Sequence, residues 1–341
     1  KRGLTGVVIG RDARYGSEDF TEESAQIFSG AGMKVWVLPR PLPTPVLAYA
    51  VNSLSADVGI MVTASHNPPE DNGYKVYLGG SVDGVRYEGS QIVPPADIEI
   101  AAEIAAINSA QPKGSEWTVL DDAVFEEYVM TTSKLARTKA DVKVVYSAMH
   151  GVGTETLLAT FKQANFSEPI LVKEQAEPDP DFPTVKFPNP EEPGAIDLSL
   201  KLAAEVEADI VIANDPDADR CAGAINDPAV GWRMLRGDEV GAILGHYIAT
   251  TMKDSCFGKS FANSIVSSSI LGKIAKAHGI EFHETLTGFK WLAKISNLRF
   301  GYEEALGYAV DAKSVNDKDG ISAALLLAQC AAELKRDGHT L

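Results

Sequence analysis

Apolar and polar positions follow one grammar in three successive stretches of the chain: a short β-branched run, a polar turn, then apolar residues at helical spacing. In the first stretch, runs at Gly6–Ile9, Lys34–Leu38 and Asp57–Val62 predict strands. Helices are predicted at Ser17–Ser29 and Thr44–Leu54, the second with Pro45 in its first turn, where no N–H is required. A further short strand, Tyr74–Tyr77, follows the turn Asp71-Asn72-Gly73. The second stretch opens at Val142–Ser147, passes through a helix near Gly153–Ala164 and reaches the strand pattern "ADIVIAN", Ala208–Asn214. Between them, "EPDPDFPTVKFPNPEEPG" (Glu177–Gly194) is too proline-rich for regular structure and predicts a long irregular loop. The third begins near Arg236-Gly237-Asp238, with a helix through His246, a strand near Ala262–Val266, a helix to His278 and a last helix from about Asp319 to Arg336. Strands alternating with helices predict an α/β protein: three consecutive α/β domains, 1–140, 141–235 and 236–341, with mixed sheets flanked by helices around a central cleft.

Composition narrows the function classes. The 341 residues, 45% hydrophobic and 23% charged, exceed what one typical core accommodates. A net charge of −16 with no basic patch argues against a nucleic-acid partner, while leaving anionic small substrates open, since these respond to local charge. Cys221, Cys256 and Cys330 are odd in number and form no Cys-x-x-Cys pair, which speaks against a disulfide scaffold or a zinc site. That usage points to a reducing compartment and a cytoplasmic location. The longest apolar run, Ala323–Ala332, is broken by Gln329 and is too short to span a bilayer, so no membrane association is expected. The chain opens on Lys1, shows no signal peptide and enters a strand at once; further natural N-terminal residues are expected to precede it.

Candidate chemistry concentrates at two strand ends. In "MVTASHNPPEDNGYKVY", Met61–Tyr77, the residues Ser65, His66 and Asn67 are consecutive where a strand stops, Pro68-Pro69 brace the turn, and the return strand brings Lys75 back. A polar turn commonly bonds only its own backbone, but the crevice outside strand ends is where α/β sheets bind ligands. In "ANDPDADRC", Ala213–Cys221, a buried strand delivers Asp215, Asp217 and Asp219 on alternate residues, followed by Arg220. Three convergent carboxylates repel unless a cation sits among them, and hard oxygen donors suit Mg²⁺.

Other motifs are weaker alone. Thr287-Gly288 in "ETLTGFKWL" looks like a helix cap, and Glu303-Glu304 in "FGYEEALGY" reads as a strand-end loop able to accept from sugar hydroxyls. Lys318 precedes a helix start at Asp319-Gly320, a place suited to a phosphate. "HGVGTET", His150–Thr156, imitates a dinucleotide fingerprint, but Thr156 stands at the third glycine position and the turn reads as a tight strand-to-helix connection. His246, His278 and His283 lack ligand spacing.

Together these pieces resemble one family, the α-D-phosphohexomutases, which include phosphoglucomutase and phosphomannomutase. The matching stretches are "TASHNPPEDNGYKVY", "NDPDADR", "LTGFKW", "GYEEALGY" and "DKDG", with "VIGRDARYGS" (Val8–Ser17) and "FPNPEEPGA" (Phe187–Ala195), in the family's order over essentially the whole chain. The sugar-loop wording is more similar to the branch of phosphoglucomutases and phosphopentomutases of the second type. The resemblance implies that Ser65 is a phosphoserine flanked by His66 and Asn67, with Lys75 aiding proton transfer or phosphate charge. It implies Mg²⁺ bridging the seryl phosphate and Asp215, Asp217 and Asp219, and Arg220 contacting substrate or phosphate. Thr287, Gly288, Lys290, Glu303 and Lys318 match substrate-contacting positions.

The implied domains are accordingly a phosphoserine domain, a metal-binding domain and a sugar-binding domain. The implied reaction interconverts sugar 1- and 6-phosphates through a bisphosphate, with glucose first and mannose, glucosamine or pentose phosphates as alternatives. Glucose 1,6-bisphosphate is then the activator, a phosphorylated monosaccharide the partner, and a monomer or weak homodimer the assembly. The family's Thr-Ala/Ser-Gly-x-Arg-Gly motif and its fourth domain, with an Arg-x-Ser-Gly-Thr phosphate loop, lie outside these residues, which favours a segment of a larger enzyme. Ala305 stands where several members carry serine. Two other readings compete: a haloacid-dehalogenase-like phosphatase with Asp215 as nucleophile, and a non-catalytic sugar-phosphate-binding homologue.

Overall fold

Residues 3–137 and 141–341 are described by a computed structural model, so Lys1 and the expected first boundary at residue 140 lie outside the described residues. The runs read as buried strands are so: Val58–Val62 and Ile210–Ala213 are buried at every position, as strands with helices on both faces must be. Around them the three stretches build sheets of one topology. Gly6–Arg11 lies between parallel Lys34–Val37 and Val58–Val62, and Tyr74–Leu78 returns antiparallel beyond the latter. Val144–Ser147 lies between parallel Ile170–Leu171 and Ile210–Ala213, with Ala222–Asp227 antiparallel beyond. Ser260–Ser264 lies between parallel Glu281–Thr285 and Leu298–Glu303, with Gly307–Ala309 antiparallel beyond. The short edge strands Ser90–Gln91, Thr118–Val119 and Gly231–Met234 extend the first two sheets.

This shared order has a functional corollary. In each sheet the loop between the third and fourth strands falls at the end of a parallel strand, and the three loops, 63–73, 214–221 and 304–306, carry the serine, aspartate and glutamate motifs.

The expected helices at Thr44–Ser53, Gly153–Gln163 and Gly237–Thr251 are present, and residues 177–194 are irregular, as the prolines require. The strand expected at Ala262–Val266 lies two residues earlier, at Ser260–Ser264, because Ile265 and Val266 project outward from the loop beyond it. The last helix, Gly320–Arg336, is more than a cover for the third sheet. Every residue from Gly320 to Ala332 is buried, and it packs on Gly237–Thr251, Gly153–Gln163 and Gly307–Ala309. A helix apolar all round belongs inside a core. The helix Ala123–Ser133, inside the first expected domain, packs on Gly153–Gln163, and its Tyr128 hydroxyl donates to Asp319 Oδ1 at 2.8 Å. Among the described residues no helix is long and apolar enough to cross a membrane.

Candidate active site

The serine loop is shaped by a side chain from the first strand's end. Arg14, buried and stacked 4.9 Å over the Phe182 ring, donates to the carbonyls of Ser65 (2.6 Å), Asn67 (2.7 Å), Pro68 (2.7 Å) and Asp71 (3.3 Å). A guanidinium, with five donors in a fixed fork, is suited to hold four carbonyls of one turn at once, more than the three donors of an ammonium can. Asp12 orients the system: it accepts from Ser17 Oγ (2.7 Å), Thr63 Oγ1 (2.7 Å) and the Arg14 amide (3.0 Å). Thr63 Oγ1 in turn accepts from the Ser65 amide at 2.9 Å. Ser65 is held at φ 52°, the left-handed region that non-glycine residues rarely adopt, which turns its hydroxyl to the second sheet. That hydroxyl donates to Asp215 Oδ2 at 2.8 Å.

The aspartate loop is framed from below. The Val152 amide donates to Pro216 O at 2.8 Å, and a Cβ on Gly151 would come within 2.2 Å of Pro216 Cα. The turn that imitates a dinucleotide fingerprint is thus glycine-rich because the loop rests on it. Asn214 donates to Arg220 O at 2.6 Å and accepts from Tyr146 at 2.8 Å, while a Cβ on Gly320 would lie 2.3 Å from Arg220 O.

Asp215, Asp217 and Asp219 are fully buried, with ligand atoms within 4.8 Å of one another. Their oxygens divide into two sets. Asp217 Oδ2 takes Lys75 Nζ at 2.6 Å and the Thr44 hydroxyl; Asp219 Oδ2 takes Lys75 Nζ at 2.5 Å and lies 3.3 Å from Lys318 Nζ; Asp215 Oδ1 takes the Arg220 amide at 3.0 Å. Asp217 Oδ1 and Asp219 Oδ1 are buried without a partner. Buried, unpaired carboxylate oxygens are costly and rare. Together with Asp215 Oδ2 and Ser65 Oγ they supply the hard oxygen donors that a Mg²⁺ ion takes, so the residues fit the cation.

The electrostatics agree. Burial, then the charges of Asp217 and Asp219, push the Asp215 carboxyl up to about 7. Burial also opposes ionisation of Asp219, but Lys318, Lys75 and Arg220 outweigh it and hold that carboxyl below the usual range. Burial would depress Lys75, yet Asp217, Asp219 and Asp215 keep its ammonium well above its ordinary value. Burial and the Arg220 charge lower His66 to about 4, leaving a neutral imidazole beside the serine.

The third loop joins from the other side. The Cys221 amide donates to Leu306 O at 3.0 Å, and Arg220 bridges Gly307, so the aspartate and glutamate loops meet; the Arg220 Nε is buried without a partner. Glu303 is buried and accepts from the Gly288 amide at 2.6 Å, which burial answers by raising its carboxyl. Glu304 Oε2 accepts from Ser264 (2.9 Å) and Ser267 (2.8 Å).

Of the remaining expected residues, Gly288 and Lys318 join these loops, while Thr287 and Lys290 make no bond to them among the described residues. Thr287 is exposed and makes no cap: Gly288, at φ 112°, is the N-cap of the short helix Phe289–Leu292, with no side-chain cap bond. Lys290 lies 4.0 Å from Asp97 Oδ2, toward the first sheet. Asp319 caps the helix expected there, accepting from the Ile321 and Ser322 amides, and Lys318 Nζ lies 3.3 Å from Asp219 Oδ2. Arg14, Asp12 and Thr44 were not singled out from the sequence, although Arg14 and Asp12 lie in the quoted stretch Val8–Ser17.

Residues 1–111, 125–228 and 236–341 match the family descriptions of phosphoglucomutase/phosphomannomutase alpha/beta/alpha domains I, II and III. A Haemophilus influenzae protein named "probable phosphomannomutase" is 50% identical over 342 residues, covering 98% of this chain and 69% of the relative. Human phosphopentomutase is 38% identical over 366 residues, covering 96% of this chain and 58% of the relative. The chain therefore spans under three-fifths of the length of the human protein. In fold it is similar to a phosphoglucomutase/phosphomannomutase family protein from Burkholderia thailandensis, with TM-score 0.81, 21% identity, and coverage of 97% of this chain and 69% of that one.

Proposed function

The chain belongs to the phosphoglucomutase/phosphomannomutase family, and from that premise we propose that it carries the phosphoryl-transferring machinery of a sugar phosphate mutase, with Ser65 as the phosphate carrier. The observation that supports this most is the Ser65 hydroxyl 2.8 Å from Asp215 at the mouth of a buried carboxylate cluster with two unpaired oxygens. Phosphoryl transfer requires an acceptor in line and neutralised phosphoryl oxygens more than elaborate covalent chemistry. Arg14 fixes the turn, so the Ser65 oxygen is placed without reorganisation. Lys75 and Lys318 hold the outer oxygens of the aspartates. Magnesium, held by Ser65, Asp215, Asp217 and Asp219, would supply positive charge beside the transferring group.

In the forward half-reaction the phosphorus–Oγ bond of phosphorylated Ser65 breaks as a bond forms from phosphorus to a sugar hydroxyl oxygen, and the proton of that hydroxyl ends on the released Oγ. The product is a sugar bisphosphate. After it turns in the cleft, its other phosphoryl group returns to Ser65 Oγ. His66, a neutral imidazole next to Ser65 in sequence, and Lys75, bonded to Asp217 Oδ2, are the groups we assign to charge and proton handling there. Arg220, with an unpaired buried Nε, and Glu303 on the sugar loop are the residues we assign to the substrate.

Glucose 1- and 6-phosphate, with glucose 1,6-bisphosphate as activator, is the hexose pair we put first; mannose, glucosamine and pentose phosphates are the alternatives, and the two relatives' names favour mannose and pentose. A phosphatase with Asp215 as nucleophile is disfavoured because both of that carboxylate's oxygens are engaged, by Ser65 and by the Arg220 amide. The test is phosphorus NMR of glucose, mannose, glucosamine and ribose 1-phosphates with Mg²⁺ and the matching bisphosphate, alongside peptide mapping for phosphate on Ser65. Absence of both isomerisation and a phosphate on Ser65 sinks the reading.

A further inference from the structure

We propose that Thr44 is a positioning residue for the metal-binding aspartates: from the first sheet it pins the outer oxygen of Asp217, so that the inner oxygen stays turned to the cation. The inference rests on reading Asp215, Asp217 and Asp219 as a metal site.

Thr44 is the first residue of the helix Thr44–Ser53 and is fully buried. The N-cap before it is Pro43, whose ring makes no side-chain cap bond. The Thr44 hydroxyl donates to Asp217 Oδ2, and the Thr44 amide, one of the donors a helix start leaves without an intrahelical partner, donates to Asp217 O at 2.9 Å. One residue thus grips another at two points, backbone and side chain.

The grip is rigid for a local reason. Pro43 and Pro45 flank Thr44, so ring-fixed φ angles border it on both sides and the residue before Pro45 is itself restricted. Lys75 Nζ occupies the same Asp217 Oδ2 at 2.6 Å. Rotating that carboxylate to exchange its oxygens would break both bonds, so Oδ1 remains the buried, unpartnered atom. Asp219 is held by two flexible ammonium groups, Lys75 and Lys318. Asp217 has in Thr44 a neutral donor fixed by main chain. Groups that orient ligands in this way commonly set metal affinity by about 10–100-fold.

The experiment is calorimetric titration of Mg²⁺ into the protein, Thr44→Val and Thr44→Ser, paired with thermal melting in chelator. Thr44→Val keeps the shape and removes the donor; it should lose about 10–100-fold in Mg²⁺ affinity, while Thr44→Ser should restore most of it. Should Thr44→Val not fold, Thr44→Ala is titrated in its place with the same two readings. Wild-type affinity in a folded variant without the hydroxyl, whether or not its melting temperature falls, overturns the proposal and leaves the mutase reading standing. Failure of the unaltered protein to bind Mg²⁺ overturns the metal site and this inference with it.

Discussion

The loops 63–73 and 214–221 occupy the same place in sheets of the same topology, yet they are built in opposite ways. Residues 214–219 are fully buried, packed between Gly151, Gly320 and the glutamate loop. Around Ser65 the chain is half-buried, Asn67, Glu70 and Asp71 are exposed, and one guanidinium carries the shape. Each loop has one non-glycine residue in the left-handed region, Ser65 at φ 52° and Ala218 at φ 54°. In the first that residue is the proposed phosphate carrier itself; in the second it lies between Asp217 and Asp219. A group that must meet substrate has to be open and locally braced. A cluster of like charge has to be closed, paired on its outer face and held by main chain.

The largest effect should come from removing the open loop's one reactive atom. Ser65→Ala should lower mutase turnover by at least about 10³-fold, roughly 4 kcal/mol of barrier, because the covalent carrier is lost. Near-normal turnover with a bisphosphate activator would erase the division of labour between the loops. Next, Asp217→Ala tests whether the closed loop depends on its pairing. Relief of repulsion alone would stabilise the chain, but Asp217 also satisfies Lys75 and Thr44. The expected result in chelator is a loss of about 3 kcal/mol on denaturant unfolding, the usual consequence of orphaning a buried partner. A gain in stability would show that repulsion dominates.

Arg14→Lys sharpens the contrast further. An ammonium cannot reproduce the fork, so about 2 kcal/mol should be lost, with faster amide hydrogen exchange confined to residues 63–73. Equal acceleration in 214–221 would mean that the two loops are not independently braced. The smallest effect concerns the support of the closed loop alone. Burial, against hydrogen bonds from Ser322, Tyr128 and Ile321, holds the Asp319 carboxyl up at about 6. Its contribution is complete below the unfolded value, near 4, and is lost as pH climbs through 6. Asp319→Asn keeps a good helix cap but cannot ionise. Between pH 4 and 7 the wild type should therefore lose on the order of 2 kcal/mol relative to the variant, read as diverging melting temperatures. Parallel curves would remove Asp319 from the account.

The sequence made the ends of the buried strands legible, and with them Ser65 and the three aspartates, because long apolar runs followed by prolines or clustered polar residues are local signals. Arg14 and Thr44 were not legible as site residues, since their roles exist only across 51 to 173 positions of sequence. Two-residue edge strands such as Thr118–Val119 carry no usable periodicity. Ala96–Ala106 escaped because only Ala96 is buried, so its isoleucines follow no inward-facing stripe. The tie of Lys318 to Asp219 was not legible either, since it joins the start of the last helix to a loop of another sheet.

The burial of Gly320–Ala332 has a consequence for synthesis. Tyr128 and Asp319 are 191 positions apart, and Tyr77 and Asp317, which also share a hydrogen bond, are 240 apart. At about 5–20 residues per second, a ribosome leaves Tyr128 waiting roughly 10–40 s for its partner. From the completion of Thr251 until the last helix emerges, the faces of Gly153–Gln163 and Gly237–Thr251 that will receive it are unfilled. The nascent chain therefore spends its vulnerable time with those faces open to other chains, and its yield in a cell depends on how fast translation runs from Thr251 to Arg336.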